Sequence, residues 1–132
     1  MKRLLIAAAT VFAVASATAQ AAYPSKVIKI IVPFTAGSAT DIMARIVGEK
    51  LTTSMGQPVV VENRPGAGGT LGASQVAKSE PDGYTLLVVS TGHVVNPALY
   101  ANLNYDTLGD FVGVSPLAAV PSVLVEIGRA HV

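Results

Sequence analysis

Three hydroxyl side chains, Thr35, Ser38 and Thr40, fall within six residues of one another in Phe34-Thr35-Ala36-Gly37-Ser38-Ala39-Thr40-Asp41. An apolar run, Val27–Val32, precedes this segment, and a stretch with helical periodicity follows it. A strand that passes into a helix through a small-residue loop leaves unpaired N–H groups at the helix N-terminus, where the helix dipole also favours negative charge. The chemistry on offer is anion binding, with the N–H groups of Ala36 to Ala39 and the three hydroxyls donating to a carboxylate. The competing reading is a plain βα turn whose small residues only ease packing, since every such unit needs one. Asp41 lies in the first helical turn and would repel an anion there. It must turn back to its own cap or hold a bridging water, and the water-bridged arrangement is expected.

Other chemistries find less to work with. Ser90-Thr91-Gly92-His93 is a second polar loop, but its context Val88-Val89-Ser90-Thr91-Gly92 lacks the first glycine of a nucleophile elbow. His93 sits three residues from Ser90, whereas a catalytic base usually comes from elsewhere in the fold. Counting G-x-G-x-x-G from Gly66 puts Leu71 where the last glycine belongs, so a dinucleotide fingerprint fails and Gly66–Gly69 reads as a structural loop. With no cysteine, no His pair and scattered acids, thiol chemistry, disulfides and metal binding have no basis, and no cofactor is expected.

These loops need a scaffold to position them. Val27–Val32 is mostly β-branched and apolar, as in a strand buried on both faces of a parallel sheet. Ser38 is the expected N-cap of the following helix, with Asp41 in a capping-box-like place. Met43, Ile46, Val47, Leu51 and Met55 are the expected sheet-facing stripe, Arg45 and Glu49 lie opposite, and Gly56 with Pro58 ends the helix. Val59–Glu62 reads as a second strand, Thr70–Lys78 as a short helix buried through Leu71, Ala73, Val76 and Ala77, and Tyr84–Val89 as a third strand after the turn Pro81-Asp82-Gly83. A brief helix beginning at Asn96 and an apolar run, Phe111–Val125, follow. The alternation is that of an open, mostly parallel α/β sheet with flanking helices, in which ligands bind beyond the carboxyl ends of strands. If the first and third strands are neighbours, Phe34–Asp41 and Ser90–His93 flank one crevice.

The first residues carry an export pattern. Lys2 and Arg3 precede an uncharged apolar stretch, Leu4–Ala15, and Ala19-Gln20-Ala21 has the A-x-A form of a cleavage site. Residues 1–21 are therefore expected to be a signal peptide, and 22–125 one α/β domain. Removing Lys2 and Arg3 from the nine basic residues leaves seven against eight acidic ones, so the formal charge of +1 reverses sign and no basic stripe for nucleic acid remains. The leader also inflates the mean hydropathy of +0.53. The last seven residues, Glu126–Val132, are what GAG ATC GGA AGA GCA CAC GTC would encode, a string like a sequencing-library adaptor. A truncated gene with a non-native tail is the expectation, and His131 then has no function.

Several segments in order carry a resemblance: Tyr23-Pro24-Ser25-Lys26, Ile30-Ile31-Val32-Pro33-Phe34 with Thr40-Asp41, Gly56-Gln57-Pro58 through Gly68-Gly69, Pro81-Asp82-Gly83-Tyr84-Thr85-Leu86, and Asn96-Pro97-Ala98-Leu99-Tyr100. Together they resemble the substrate-binding proteins of tripartite tricarboxylate transporters, also called the Bug family, over nearly all of Tyr23–Val125. That family usually has two glycines after Pro-Phe-x-x, and here Ser38 takes the second place. The resemblance implies a monomeric periplasmic receptor of two α/β domains that closes on a small carboxylate and delivers it to membrane transporter subunits. The first βα loop, Phe34–Asp41, would hold the carboxyl group partly through water, with Ser90–His93 lining the same cleft, and the second domain would be missing here. The rival from another class is a secreted, hydrolase-like α/β enzyme completed by residues elsewhere; an interaction domain without a ligand is the third.

The export pattern has a direct test. The mature protein is expected to begin at or near Ala22, read by mass spectrometry of an exported preparation; a mature chain still carrying Met1–Ala15 would refute the signal peptide.

Overall fold

Four of the five residues of β1 (Ile28–Val32) are Ile or Val, and Ile28, Ile30, Ile31 and Val32 are all 2% exposed or less. Such a strand needs a neighbour on each side and a layer on each face. A computed structural model, which describes residues 22–119 and Pro121, supplies both. The expected signal peptide and the tail Glu126–Val132 lie outside the described residues.

The elements follow in the order β1, α1 (Ala39–Met55), β2 (Val59–Asn63), a 3₁₀ turn (Ala67–Gly69), α2 (Thr70–Ala77), β3 (Thr85–Leu87) and α3 (Gly92–Leu99). The sheet order is β2-β1-β3, with both pairings parallel. Register runs from Ile28 opposite Val59 to Val32 opposite Asn63 on one side, and from Lys29 opposite Thr85 to Ile31 opposite Leu87 on the other. The first and third strands are therefore neighbours, as the two-loop crevice requires. Two right-handed crossovers running in opposite directions place their helices on opposite faces. On one face Ile30 and Val32 pack with Ala44 of α1, and on the other Pro33 lies against Gly72 of α2.

The capping signals hold. Ser38 is the N-cap of α1 and Gly56 its left-handed C-cap, whose N–H returns to the Thr52 carbonyl at 3.1 Å. The buried face of α1 differs from the expected stripe. Asp41, Ala44 and Gly48 are buried, while Ile46 and Met55 are exposed at 52% and 40%. Small residues win because the helix approaches the sheet closely: a Cβ at Gly48 would already touch Val59 and Val61 at 3.4 and 3.6 Å. In α2 the same reason buries Gly72, Ala73 and Ser74 and leaves Leu71 60% exposed.

Three further boundaries shift. β3 is shorter than Tyr84–Val89, although Lys29 N–H donates to Tyr84 O and Val88 N–H to Ile31 O beyond its ends. The last helix begins at Gly92 rather than near Asn96, with Pro97 inside its final turn. Residues 111–119 of the apolar run form neither strand nor helix, and Val112 and Val114 are more than four-fifths exposed.

The approach of α2 to the sheet gives a prediction. A Cβ at Gly72 would lie 2.8 Å from Pro33 Cβ and 3.0 Å from the Arg64 carbonyl oxygen. Alanine gains about 1 kcal/mol of helix propensity over glycine, but overpacking a rigid contact costs about 1–3 kcal/mol. Gly72→Ala is expected to lower unfolding free energy in urea titrations; a stabilised variant would show that α2 moves aside freely.

Candidate functional site

Val32 ends the central strand, and the next residues must turn the chain into α1 without covering the strand's carboxyl end. Thr35 O accepts from Ser38 N–H at 3.2 Å, and Gly37 at φ +82° makes a turn that a side chain would strain. Ser38 has extended backbone (φ −67°, ψ 160°), and its Oγ accepts from Asp41 N–H at 3.3 Å. The Ser38 and Thr40 hydroxyls lie 3.1 Å apart, so both are engaged in the cap. Of the N–H groups expected to face an anion, those of Gly37 and Ser38 are thus used within the loop. Those of Ala36 and Ala39, together with Thr40 N–H, have no partner among the described residues.

Asp41 is 2% exposed, and its two oxygens are fully engaged by protein donors. Oδ2 accepts from Gly37 N–H at 2.8 Å and from Arg45 Nε at 3.0 Å. Oδ1 accepts from Asn63 Nδ2 at 2.9 Å and lies 3.0 Å from Arg45 Nη2. Asn63 Nδ2 also reaches Phe34 O at 3.1 Å, and its Oδ1 accepts from Arg45 Nη2 at 3.0 Å. Arg45 first, then the Gly37 N–H and Asn63, hold the Asp41 carboxyl down to about 2. The expected water-bridging role is corrected by this geometry: Asp41 turns back into the loop, and protein donors take the places a water would use. Sequence reasoning missed Arg45 and Asn63, which complete this network. Asp41 and Arg45 stand at i,i+4, a spacing at which opposite charges meet on a helix, and Asn63 closes the strand that follows.

The glycine loop packs against this region. Gly66 to Gly69 all have positive φ, Arg64 N–H donates to Val32 O at 2.8 Å, and Gly69 is buried beside Pro33 and Phe34. Asn96 Nδ2 reaches Gly68 O at 3.4 Å, tying α3 to the same loop. These contacts fit a structural loop.

Ser90–His93 is only half a loop. Thr91 is the cap residue of α3, and Gly92 and His93 form its first turn, with His93 N–H on Ser90 O at 3.0 Å. The His93 ring stacks on Tyr105 at 6.0 Å between centroids and meets the edge of Phe111 at 4.9 Å. Burial lowers its pKa, which favours the neutral ring. No side-chain hydrogen bond joins Ser90 to His93 among the described residues, so a nucleophile–base pair is not assembled. The two predicted segments thus stand at the carboxyl ends of adjacent strands, joined by no direct hydrogen bond among the described residues. No cluster of three or more His, Cys, Asp or Glu side chains that could hold a metal occurs among those residues.

The chain is similar to known proteins along most of its length. The family model described as tripartite tricarboxylate transporter family receptor matches residues 43–130, a span that starts just after Asp41 and includes Ser90–His93. Protein BugT of Bordetella pertussis is 49% identical over 105 residues, which are 78% of this chain and 32% of that protein. The structure of the periplasmic binding protein BugD superposes with a TM-score of 0.64 at 44% identity, over 67% of this chain and 30% of BugD. MatC of Rhodopseudomonas palustris, solved with bound malate, gives a TM-score of 0.67 at 39% identity, over 72% of this chain and 33% of MatC. The chain spans about a third of the length of the curated relatives it matches.

The Asp41 network predicts an acid limb. A folded pKa near 2, below the ordinary value of 3.8, means that the unfolded chain takes up the proton first. The stability from ionised Asp41 is fully present above about pH 4 and is lost as pH falls through about 2. Asp41→Asn is expected to be less stable than the parent at pH 7 and to lose less stability between pH 4 and 2, read by urea unfolding across that window. Parallel acid limbs in both proteins would refute the role.

Proposed function

The chain belongs to the tripartite tricarboxylate transporter receptor family, and from that premise we propose that it is the carboxylate-binding domain of an extracytoplasmic solute receptor. The receptor hands its ligand to the membrane subunits of a tripartite tricarboxylate-type transporter. The observation that carries the reading is the β1–α1 junction, where the N–H groups of Ala36, Ala39 and Thr40 have no partner among the described residues, at the carboxyl end of the central strand. Open parallel sheets bind ligands at this place, and a helix N-terminus favours an anion there. Malate in the MatC relative supports a small dicarboxylate as the ligand class.

Within that reading, Phe34–Asp41 takes one carboxyl group. The N–H groups of Ala36, Ala39 and Thr40 donate to it, and the hydroxyl of Thr35 assists from the exposed side. Ser38 and Thr40 act chiefly by capping α1, and Asp41 by holding the loop's shape. Ser90, Thr91, Gly92 and His93 form the neighbouring wall, with His93 a neutral ring that packs rather than a base that reacts. Residues 1–21 direct export to the periplasm and are removed, and residues 22–125 are the first of two α/β domains. The complete receptor is a monomer whose second domain closes over the anion.

One hydrogen bond to a charged group contributes about 1.5–3 kcal/mol, roughly tenfold or more in affinity. Malate titrated into the ¹⁵N-labelled chain is expected to move the amide signals of Ala36, Ala39 and Thr40 with a millimolar dissociation constant. A protein that carries both domains is expected to bind in the micromolar range. Gly37→Val is expected to weaken malate by about tenfold, because a branched residue resists φ +82° even though a Cβ there meets nothing within 4 Å. Equal affinity in the one-domain and two-domain proteins would rule out the clamp.

A further inference from the structure

A buried carboxylate beside an anion site is a contradiction that some other charge must resolve. Asp41 stays ionised down to about pH 2 and sits one residue after Thr40, whose N–H has no partner among the described residues. Glu62 cannot be the compensating partner because it is acidic, and it is itself paired with Arg64 at 3.0 Å and Lys29 at 3.8 Å. Arg45 alone among the described cations reaches Asp41, and it does so with two nitrogens on two oxygens. Its side chain is half exposed, so burial alone does not explain its place.

Given the Phe34–Asp41 loop as the anion site, on which the following depends, we propose that Arg45 is a positioning residue for the bound carboxylate. It cancels the charge of Asp41 and fixes that carboxylate on Gly37 N–H, so that the free N–H groups of Ala36, Ala39 and Thr40 face no net negative charge. Arg45 does not touch the ligand; it acts through Asp41. Its fork also holds Asn63 Oδ1 at 3.0 Å, which leaves Asn63 Nδ2 for Phe34 O and Asp41 and closes the ring around the loop. Without Arg45, the uncancelled charge of Asp41 repels a ligand carboxylate held at the same loop, and like-charge repulsion partly screened by water weakens binding by roughly tenfold.

The test separates charge from scaffolding. Malate is titrated into the ¹⁵N-labelled protein and its Arg45→Met, Arg45→Lys and Arg45→Met/Asp41→Asn variants, with thermal melts of each. Arg45→Met is expected to weaken malate about tenfold. Arg45→Lys, which keeps the charge but not the fork, is expected to stay within about threefold of the parent. The double variant, which removes both charges, is expected to recover to within about threefold although its melting temperature stays low. A role in stability alone would track the melts, and the double variant would then bind as weakly as Arg45→Met; that result overturns the proposal. So does unchanged affinity in Arg45→Met. Should Arg45→Met fail to fold, Arg45→Lys decides, a tenfold loss being the refuting result. A parent protein in which malate leaves the Ala36, Ala39 and Thr40 amides unmoved fails earlier and overturns the anion-loop reading itself.

Discussion

The carboxyl end of this sheet is organised around one buried charge. An ionised carboxylate removed from water is tolerated only when it is paired and hydrogen-bonded, and Asp41 collects its donors from three places: the loop through Gly37, its own helix through Arg45, and the end of β2 through Asn63. These donors converge only if α1 starts after Ser38 and Asn63 stands opposite Val32 in the parallel ladder. Helix start, loop turn and strand register are thus conditions on the same few ångströms, and an error in any one would strand the charge. Removing one partner of such a group costs more than the pair contributes, because the other is left buried alone.

The amino end of the sheet is held by weaker means. The segment before β1 is clipped to the turn before β3: Tyr23 Oη donates to Gly83 O, Ser25 N–H to Tyr84 Oη, and Lys26 reaches Asp82, all at 2.8 Å. Lys26 also lies 4.5 Å from the Tyr84 ring centre. Exposed ion pairs of this kind contribute little by themselves, and the clasp works by number. The contrast follows from what each end must do. The amino end only has to keep a strand in place, whereas the carboxyl end must also hold a loop whose own N–H groups are left free.

The strands, their parallel order and the caps Ser38 and Gly56 were legible because each rests on local chemistry: β-branched runs, an oxygen that reaches the helix N–H groups, a residue free to turn left-handed. The loop Phe34–Asp41 was legible for the same reason. What escaped were the features set by approach distance. Ile46, Met55 and Leu71 stand at helical spacing and still face outward, because Gly48 and Gly72 let the helices sit too close to the sheet for large side chains. His93 was placed in a loop because Ser90 and Thr91, though common helix-start residues, have no Glu or Gln three residues on to complete a capping box; its ring is held by Tyr105 and Phe111, more than ten residues away in sequence. Asn63 was hidden in a stretch whose glycines and proline already explained the turn, and its part depends on register.

On the proposed reading, the geometry also bears on why a wall of this kind would bind weakly alone. Thr35, Ala36, Gly37 and Ala39 are all exposed, so donors aimed at an anion here compete with water at high dielectric. The same hydrogen bonds and helix-end dipole grow stronger once solvent is excluded. A rigid, half-open cradle with its internal charge cancelled therefore has its shape set before the ligand arrives. What it lacks is dryness, which a second surface can supply without rebuilding the loop. On the proposed reading, division of labour of this sort would let one α/β wall serve many small acids: the backbone N–H groups would recognise the carboxylate, and the identity of the rest of the ligand would be left to whatever closes over it.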